Sequence, residues 1–228
     1  MKNAIKAIAR LIFSQELAEQ VYRTEKAFGL VVIIGILIGV GYGYQTDSYF
    51  VKYGLGPTSG ALAVGLSWEL IPLITALVVV ARIGVSYAAE ISSMKISQQI
   101  DALRTLAVNP WRYLVLPRFI ACVVMVPVLT VFAVFACFGG EYLAAQLMKV
   151  NMESFMNLAK STFCFSYLIR GIIKAVIFGA AISLNSCYCG FSIGKDKENA
   201  LGVGQAANRA VVSSFLVIFL INFCFSFI

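Results

Sequence analysis

Histidine is absent from this 228-residue chain, and charged residues are scarce. Without histidine there is no imidazole to serve as a general base, a zinc ligand or a haem ligand. Charged residues make up 13% of the chain and hydrophobic residues 60%, whereas a soluble domain has roughly 25% charged residues. The composition therefore excludes an ordinary soluble domain and indicates a protein that crosses a membrane several times.

Sequence motifs for chemistry are missing as well. The segment nearest to a phosphate-binding loop, GFSIGKD at 190–196, has the wrong spacing and ends in Asp where Ser or Thr is required. No serine or cysteine lies in a nucleophile elbow. The six cysteines lie mostly in apolar runs, where cysteine behaves as a small hydrophobe. We therefore expect a chain that is not an enzyme, has no catalytic residues and binds no metal or cofactor of its own.

Apolar runs of membrane-spanning length define the fold class. They predict five transmembrane helices, at 28–44, 60–81, 110–139, 162–190 and 209–228, because about 20 apolar residues cross a bilayer. A basic amphipathic helix over 1–26 precedes them and is expected to lie in the membrane interface. The prediction is an all-α integral membrane protein that forms a single domain over 1–228.

Lysine and arginine are grouped along the chain in a way that encodes orientation. Thirteen of the 18 fall in the segments 1–26, 82–118 and 191–209. Because positively charged segments stay in the cytoplasm, the N-terminus is expected inside and the C-terminus outside. Orientation accounts for the net charge of +7, so we expect no nucleic-acid partner.

A ladder of glycines marks the first predicted span. Gly35, Gly39 and Gly43 recur every four residues, a pattern that lets another helix backbone come close. The other helix can belong to the same chain or to a second copy in a homodimer. In the second case, Gly39→Leu would weaken dimerisation.

Three charged residues stand inside or near apolar runs. Glu69 lies in the second span and is expected to face protein or water, because a carboxylate facing lipid is costly. It could be protonated, could cap backbone groups freed by Pro72, or could take part in function. Arg170 and Lys174 lie near the predicted outer start of the fourth span, where both can snorkel to the membrane surface.

The segment 82–118 is the most polar part of the middle of the chain. Its apolar residues recur at spacings of three or four, which predicts an amphipathic helix over about 95–107. Asn109-Pro110 should end it, since a residue before proline avoids the α region. Such a helix is either an interfacial connector or a coupling helix that docks into another protein. The residues that would contact the partner are Glu90, Lys95, Gln98, Gln99, Asp101 and Arg104.

The run WELIPLITALVVVARIGVSYAAEISSMKISQQIDALRTLAVNPWRYLVLPR, at 68–118, resembles the signature region of the MlaE/YrbE permeases. These are the membrane subunits of Mce-associated ABC lipid transporters. GVGQAANRAVV near the last span and the segment 174–190 are similar to two further blocks of the family. The chain departs from the family pattern at Ile71 and Ala81, where glycine is usual, and at Asn222, where Asp is frequent.

The resemblance implies a homodimeric permease domain, whose coupling helix docks on a cytoplasmic ATPase subunit that binds ATP and Mg²⁺. It also implies a ring of Mce-domain lipid-binding subunits, a small cytoplasmic accessory subunit and transport of phospholipid or a related lipid. The membrane would be a bacterial inner membrane, or alternatively a plastid inner envelope. In such a homodimer, the residues expected to pack against the second copy are Gly35, Gly39 and Gly43. Candidate lipid-contacting residues are Val40, Tyr44, Leu62, Leu66 and Leu70.

Two other functions remain open from the sequence. One is an ion-coupled secondary transporter or channel that uses Glu69 and Glu90 directly. The other is a membrane scaffold that transports nothing. Co-purification with an ATPase subunit distinguishes the ABC permease from both.

Overall fold

The computed structural model describes residues 15–53, 58–163, 165–192 and 200–227. Most residues in these ranges are helical, and the ranges contain no strand. The helices are α1 over 15–25, α2 Phe28–Lys52, α3 Ser59–Val79, α4 Val85–Ile96, α5 Gln99–Thr105, α6 Leu116–Leu147, α7 Met152–Thr162, α8 Phe165–Phe191 and α9 Ala200–Phe225. Short π-helical segments, Val80–Gly84 and Trp111–Val115, precede α4 and α6.

Five stretches of helix within the described residues are long and apolar enough to cross a membrane. They are Gln15–Lys52, Ser59–Ile96, Trp111–Leu147, Phe165–Phe191 and Leu201–Phe225. This confirms the predicted fold class and the number of spans. Of the predicted interfacial helix, 1–14 lie outside the described residues, and 15–25 are helical.

The predicted boundaries of three spans are wrong, and the fifth span begins at Leu201 and not at residue 209. The first span does not end at residue 44, because α2 continues to Lys52 through a segment predicted as a loop. The third does not end at residue 139, because α6 continues to Leu147. Each extension carries an acidic residue, Asp47 and Glu141, and both side chains are buried. A buried carboxylate can be accommodated in a helix when its neighbours supply polar contacts.

The chain divides into two compact units, each assembled from separated stretches. Among the described residues, the first unit comprises 15–27, 76–126, 176–192 and 200–227, and the second comprises 28–53, 58–75, 127–163 and 165–175. In the first unit α9 packs along α4 and the π-helical segment before it. An apolar cluster of Ile91, Ile100, Leu114, Val115 and Cys187 holds α5 against the ends of the neighbouring helices.

In the second unit the glycine ladder of α2 packs against α6 of the same chain. A Cβ atom on Gly35 would lie 2.8 Å from the carbonyl oxygen of Ala133, and one on Gly43 would lie 2.8 Å from the Cβ of Ala144. Gly39 meets the backbone of Cys137 in the same way. The intramolecular alternative is therefore what the structure shows. The assignment of these glycines to a homodimer seam stays a prediction, although α6 of the same chain packs on the face they share.

Candidate functional site

The polar segment between the second and third spans forms two helices and not one. α4 ends at Ile96, and α5 begins only at Gln99. Gln98 between them adopts a left-handed conformation, with φ of 59°. The Ser97 hydroxyl donates to the Ser93 carbonyl oxygen over 2.9 Å, a local bond of the kind that competes with helix continuation. The predicted helix over about 95–107 is thus corrected to α5 alone, with a turn before it.

The C-terminal end of α5 is closed by a defined cap. Ala107 has φ of 57°, and the Val108 amide donates to the Leu103 carbonyl oxygen over 3.0 Å. A left-handed residue followed by this six-residue hydrogen bond is a Schellman motif. The side chain of Asn109 then accepts a hydrogen bond from the Trp111 amide over 3.0 Å, at the start of the next helical segment. α5 is therefore a short helix with fixed ends.

The polar face of α5 is exposed on the surface of the chain. Ile100 is buried and Leu103 half-buried, whereas Gln99, Asp101 and Arg104 are exposed. Asp101 and Arg104 form an ion pair of 3.1 Å, with side chains 68% and 66% exposed. An exposed pair of this kind contributes little to stability, so both charges are available to a partner. Of the predicted apolar stripe, Ile100 is buried, whereas Leu106 is 73% exposed.

Glu90 on α4 binds two arginines that the sequence analysis did not pair with it. Its carboxylate accepts a hydrogen bond from Arg118 of α6 over 2.9 Å, and it also accepts one from Arg23 of α1. The Ser86 hydroxyl adds a third contact over 3.2 Å. The Arg118 side chain is only 5% exposed, and its guanidinium lies 5.4 Å from the centre of the Tyr87 ring. Glu90 therefore fastens the helix that carries α5 to two other helices of the first unit.

Lys95 is also turned inward. Its ammonium group donates to the Phe191 carbonyl oxygen at the end of α8 over 2.7 Å. The Phe191 ring stacks on Trp111, with centroids 5.2 Å apart and an interplanar angle of 16°. The structure therefore divides the predicted coupling residues: Gln98, Gln99, Asp101 and Arg104 share the exposed surface, while Glu90 and Lys95 bind within the chain.

In the second unit Glu69 forms an ion pair with Lys174. The Lys174 ammonium group lies 2.6 Å from a Glu69 carboxylate oxygen. The lysine side chain is 4% exposed and the carboxylate side chain 55% exposed. Lys174 therefore does not snorkel to the surface. Glu69, whose role the sequence left open, neutralises this buried lysine. Two opposite charges, each isolated in an apolar run, were the sequence signal for this pair.

A buried acidic pair lies at the far ends of α2 and α6, where the sequence predicted loops. Glu141 accepts a hydrogen bond from the Ser67 hydroxyl over 3.3 Å, and the Cys137 thiol lies 3.6 Å from its other oxygen. Asp47 and Glu141 line the same small cavity of about 10 Å³, a volume near the minimum for one water molecule. Within the described residues no group of three or more acidic or cysteine side chains could hold a metal ion.

The residues predicted to contact lipid lie on the second unit. Tyr44 and Leu62 are 56% and 41% exposed, and Val40 and Leu70 are partly exposed. The side chain of Leu66 lies outside the described residues. Exposed apolar side chains on membrane-length helices face lipid or another subunit. A lipid-contacting role for these residues stays a prediction.

The five membrane-length helices and the short polar helix between two of them define the class of protein, a helical membrane protein. The chain belongs to the MlaE family: the family model described as Permease MlaE matches residues 17–228. This match confirms the resemblance drawn from the signature run. The role of the chain is therefore in membrane transport, as a permease of the ABC transporter class.

Three curated relatives agree with this assignment. A probable ABC transporter permease protein of Synechocystis sp. is 33% identical over 205 residues, 89% of this chain and 77% of the relative. A probable ABC transporter permease protein of Rickettsia typhi is 41% identical over 165 residues, 71% of this chain and 62% of the relative. The intermembrane phospholipid transport system permease protein MlaE of Haemophilus influenzae is 32% identical over 197 residues, 85% of this chain and 74% of the relative. This chain thus spans less than two thirds of the Rickettsia protein.

Proposed function

We propose that this chain is the membrane subunit of an ABC transporter that moves phospholipid or a related lipid between membranes. The observation that carries the proposal is α5, a capped helix with an exposed polar face that leads from one membrane-length helix to the next. A separate cytoplasmic ATPase, which binds ATP and Mg²⁺, docks on this face. The naming of the Haemophilus relative as a phospholipid transport permease supports lipid as the cargo.

The contacts around α4 explain how a force on α5 reaches the spans. Glu90 links α4 to Arg118 on α6 and to Arg23 on α1. Lys95 links the end of α4 to the end of α8. Movement of α5 by the ATPase is therefore passed to several helices of the first unit together, as expected of a switching element that biases packed helices.

The remaining partners and the location follow from the family and from charge. Two copies of the chain form the transport pathway, with a ring of Mce-domain lipid-binding proteins outside and a small accessory subunit on the ATPase side. The distribution of lysine and arginine supports a cytoplasmic N-terminus and a cytoplasmic α5. The membrane is the bacterial inner membrane.

An ion-coupled transporter that uses Glu69 and Glu90 is the weaker alternative. Both carboxylates are bound by cationic side chains, Glu69 by Lys174 and Glu90 by Arg118. A carboxylate held in an ion pair is a poor carrier for a transported ion, because releasing its partner leaves a buried charge uncompensated. The two mechanisms also differ in whether transport requires ATP.

The experiment reverses the charges of the exposed face in the doubly substituted variant Asp101→Lys/Arg104→Glu. The permease is co-expressed with its ATPase, purified and reconstituted, and fluorescent phospholipid transfer is measured with and without ATP. We expect the variant to lose bound ATPase and ATP-dependent transfer while keeping the wild-type melting temperature. The matched control is Lys149→Glu, an exposed charge reversal elsewhere in the chain. Normal ATPase binding and transfer in the double variant would refute docking on α5, and wild-type transfer driven by an ion gradient without ATP would favour the alternative.

A further inference from the structure

The second unit contains a cavity of about 300 Å³ whose described lining does not include Val40, Tyr44, Leu62 or Leu70. It lies between α3, α6, α7 and the start of α8. Trp68 and Ala159 form its inner wall and are 7% and 4% exposed, whereas Phe135 and Phe163 at its rim are 68% and 49% exposed. The cavity is thus open on one side and apolar throughout most of its lining.

The inner wall of this cavity is closely packed. A Cβ atom on Gly171 of α8 would lie 2.7 Å from the Trp68 ring, so glycine at this position lets α8 and the indole pack together. A wall that is preformed in this way does not have to be ordered when a ligand binds, which lowers the cost of binding.

A cation stands at the edge of the cavity. Lys160 lines it and is exposed, on the last turn of α7. α7 is a short amphipathic helix between two membrane-length helices, α6 and α8, and it buries Phe155 and Ala159 on one face. Helices of this type lie at the level of the lipid headgroups. A lysine at that level is well placed for a phosphate group.

We propose that this cavity holds one acyl chain of a phospholipid, with the phosphate of the same lipid bound by Lys160. An apolar cavity of about 150 Å³ in a protein accepts one benzene molecule, so a cavity of twice that volume accommodates roughly a dozen carbon atoms. That is most of one acyl chain and not a whole lipid. The second acyl chain lies outside the cavity, against the exposed aromatic rim.

This inference rests on the proposed lipid transport and adds a position for the cargo. The lipid is held within a single protomer, by α3, α6 and α7, and not only on the surface of the first two spans that carries Val40 and Tyr44. The site also gives α7 a function that the sequence analysis did not assign to it.

The test uses the complete transporter in nanodiscs that contain about 1% of phosphatidylglycerol carrying a diazirine in one acyl chain. After photolysis, labelled peptides are identified by mass spectrometry. We expect the label to concentrate on the segments 131–138 and 156–168. Ala159→Phe fills the cavity, and because each buried methylene contributes to binding, labelling of these segments should fall at least about tenfold. The matched control is Val128→Phe, at a residue of α6 that is 42% exposed and does not line the cavity.

A second variant tests the headgroup contact without filling the cavity. Lys160→Glu, at an exposed position, should reduce labelling by the phosphatidylglycerol probe but not by a diacylglycerol probe with the same diazirine chain. Label spread evenly over the exposed faces and unchanged in both variants would mean ordinary annular lipid and would overturn the proposal. ATP-dependent transfer by the wild-type complex with such diffuse labelling would leave the proposed function standing. Localised labelling without ATP-dependent transfer would refute the proposed function and leave the proposed lipid site standing.

Discussion

Gly39→Ala tests the packing of α2 against α6. A Cβ atom at this position would lie 2.8 Å from the carbonyl carbon of Cys137, and it would come closer still to the carbonyl oxygen. The obstructing atoms are backbone atoms of α6, so no side-chain rotation can relieve the overlap. The two helices have to separate, which also loosens the contacts of the neighbouring glycines. Gly41→Ala on the same helix is the matched control, because a Cβ atom there has no neighbour within 4 Å.

The expected size of the effect follows from two opposing terms. Overpacking a close interface costs roughly 1–3 kcal/mol, and backbone atoms as the obstacle place Gly39→Ala near the upper end. Replacing glycine by alanine inside a helix stabilises the folded state by about 0.5–1 kcal/mol. The net loss is therefore about 2 kcal/mol. In a chain of this size 1 kcal/mol corresponds to roughly 2–4 °C, so the melting temperature should fall by about 4–8 °C. Gly41→Ala should leave it unchanged or raise it slightly.

The assay is the thermal unfolding of both purified variants in one detergent, followed by intrinsic fluorescence, with dimerisation measured on the same samples by crosslinking. The intramolecular packing predicts a lower melting temperature for Gly39→Ala alone. A different result would be that Gly39→Ala and Gly41→Ala unfold at the same temperature while only Gly39→Ala dimerises less. That result would mean that Gly39 is not required for packing against α6. A homodimer seam would then be the better account.

Two further predictions concern the ion pairs. Glu90→Gln removes the anion beside Arg118, whose side chain is 5% exposed. Because the Glu90 side chain is itself 28% exposed, the free energy of unfolding should fall by about 2–3 kcal/mol, less than the roughly 3–5 kcal/mol expected for a fully buried pair. Glu90→Lys should abolish ATP-dependent lipid transfer altogether, and normal transfer in that variant would contradict the fastening role. For the other pair, Glu69→Gln should lower the melting temperature more than Lys174→Met, because it leaves a lysine of 4% exposure without its anion; the reverse order would mean that Glu69 faces lipid.

The number of spans and the existence of α5 could be predicted from the sequence because both depend on local patterns. A run of about 20 apolar residues needs no knowledge of its neighbours to be recognised. The stripe that buries Ile100 and exposes Asp101 is likewise contained in a few turns of helix. The break at Gln98 was not predictable, because glutamine is neither a glycine nor a proline and rarely adopts a positive φ.

The pairings of charged residues could not be derived because they join distant parts of the chain. Lys174 is 105 positions from Glu69, and Arg118 is 28 from Glu90. The sequence shows only that each charge in an apolar run requires a partner. Glu141 was missed for a different reason. Glu141 lay outside the predicted span 110–139, and only the fold shows that Ser67 reaches its carboxylate.

The turn at Gln98 gives the signature run two separable tasks. Before the turn, Glu90 and Lys95 bind Arg118 and the end of α8, so they hold the segment to the spans. After it, Asp101 is exposed on a helix that is attached through one buried side, centred on Ile100. A continuous helix would keep a single face orientation through both parts, whereas the left-handed residue redirects the second part. Substitutions before the turn should therefore act on the stability of the permease, and substitutions after it on the binding of its partner. This separation of effects is what a helix that transmits force between two proteins requires.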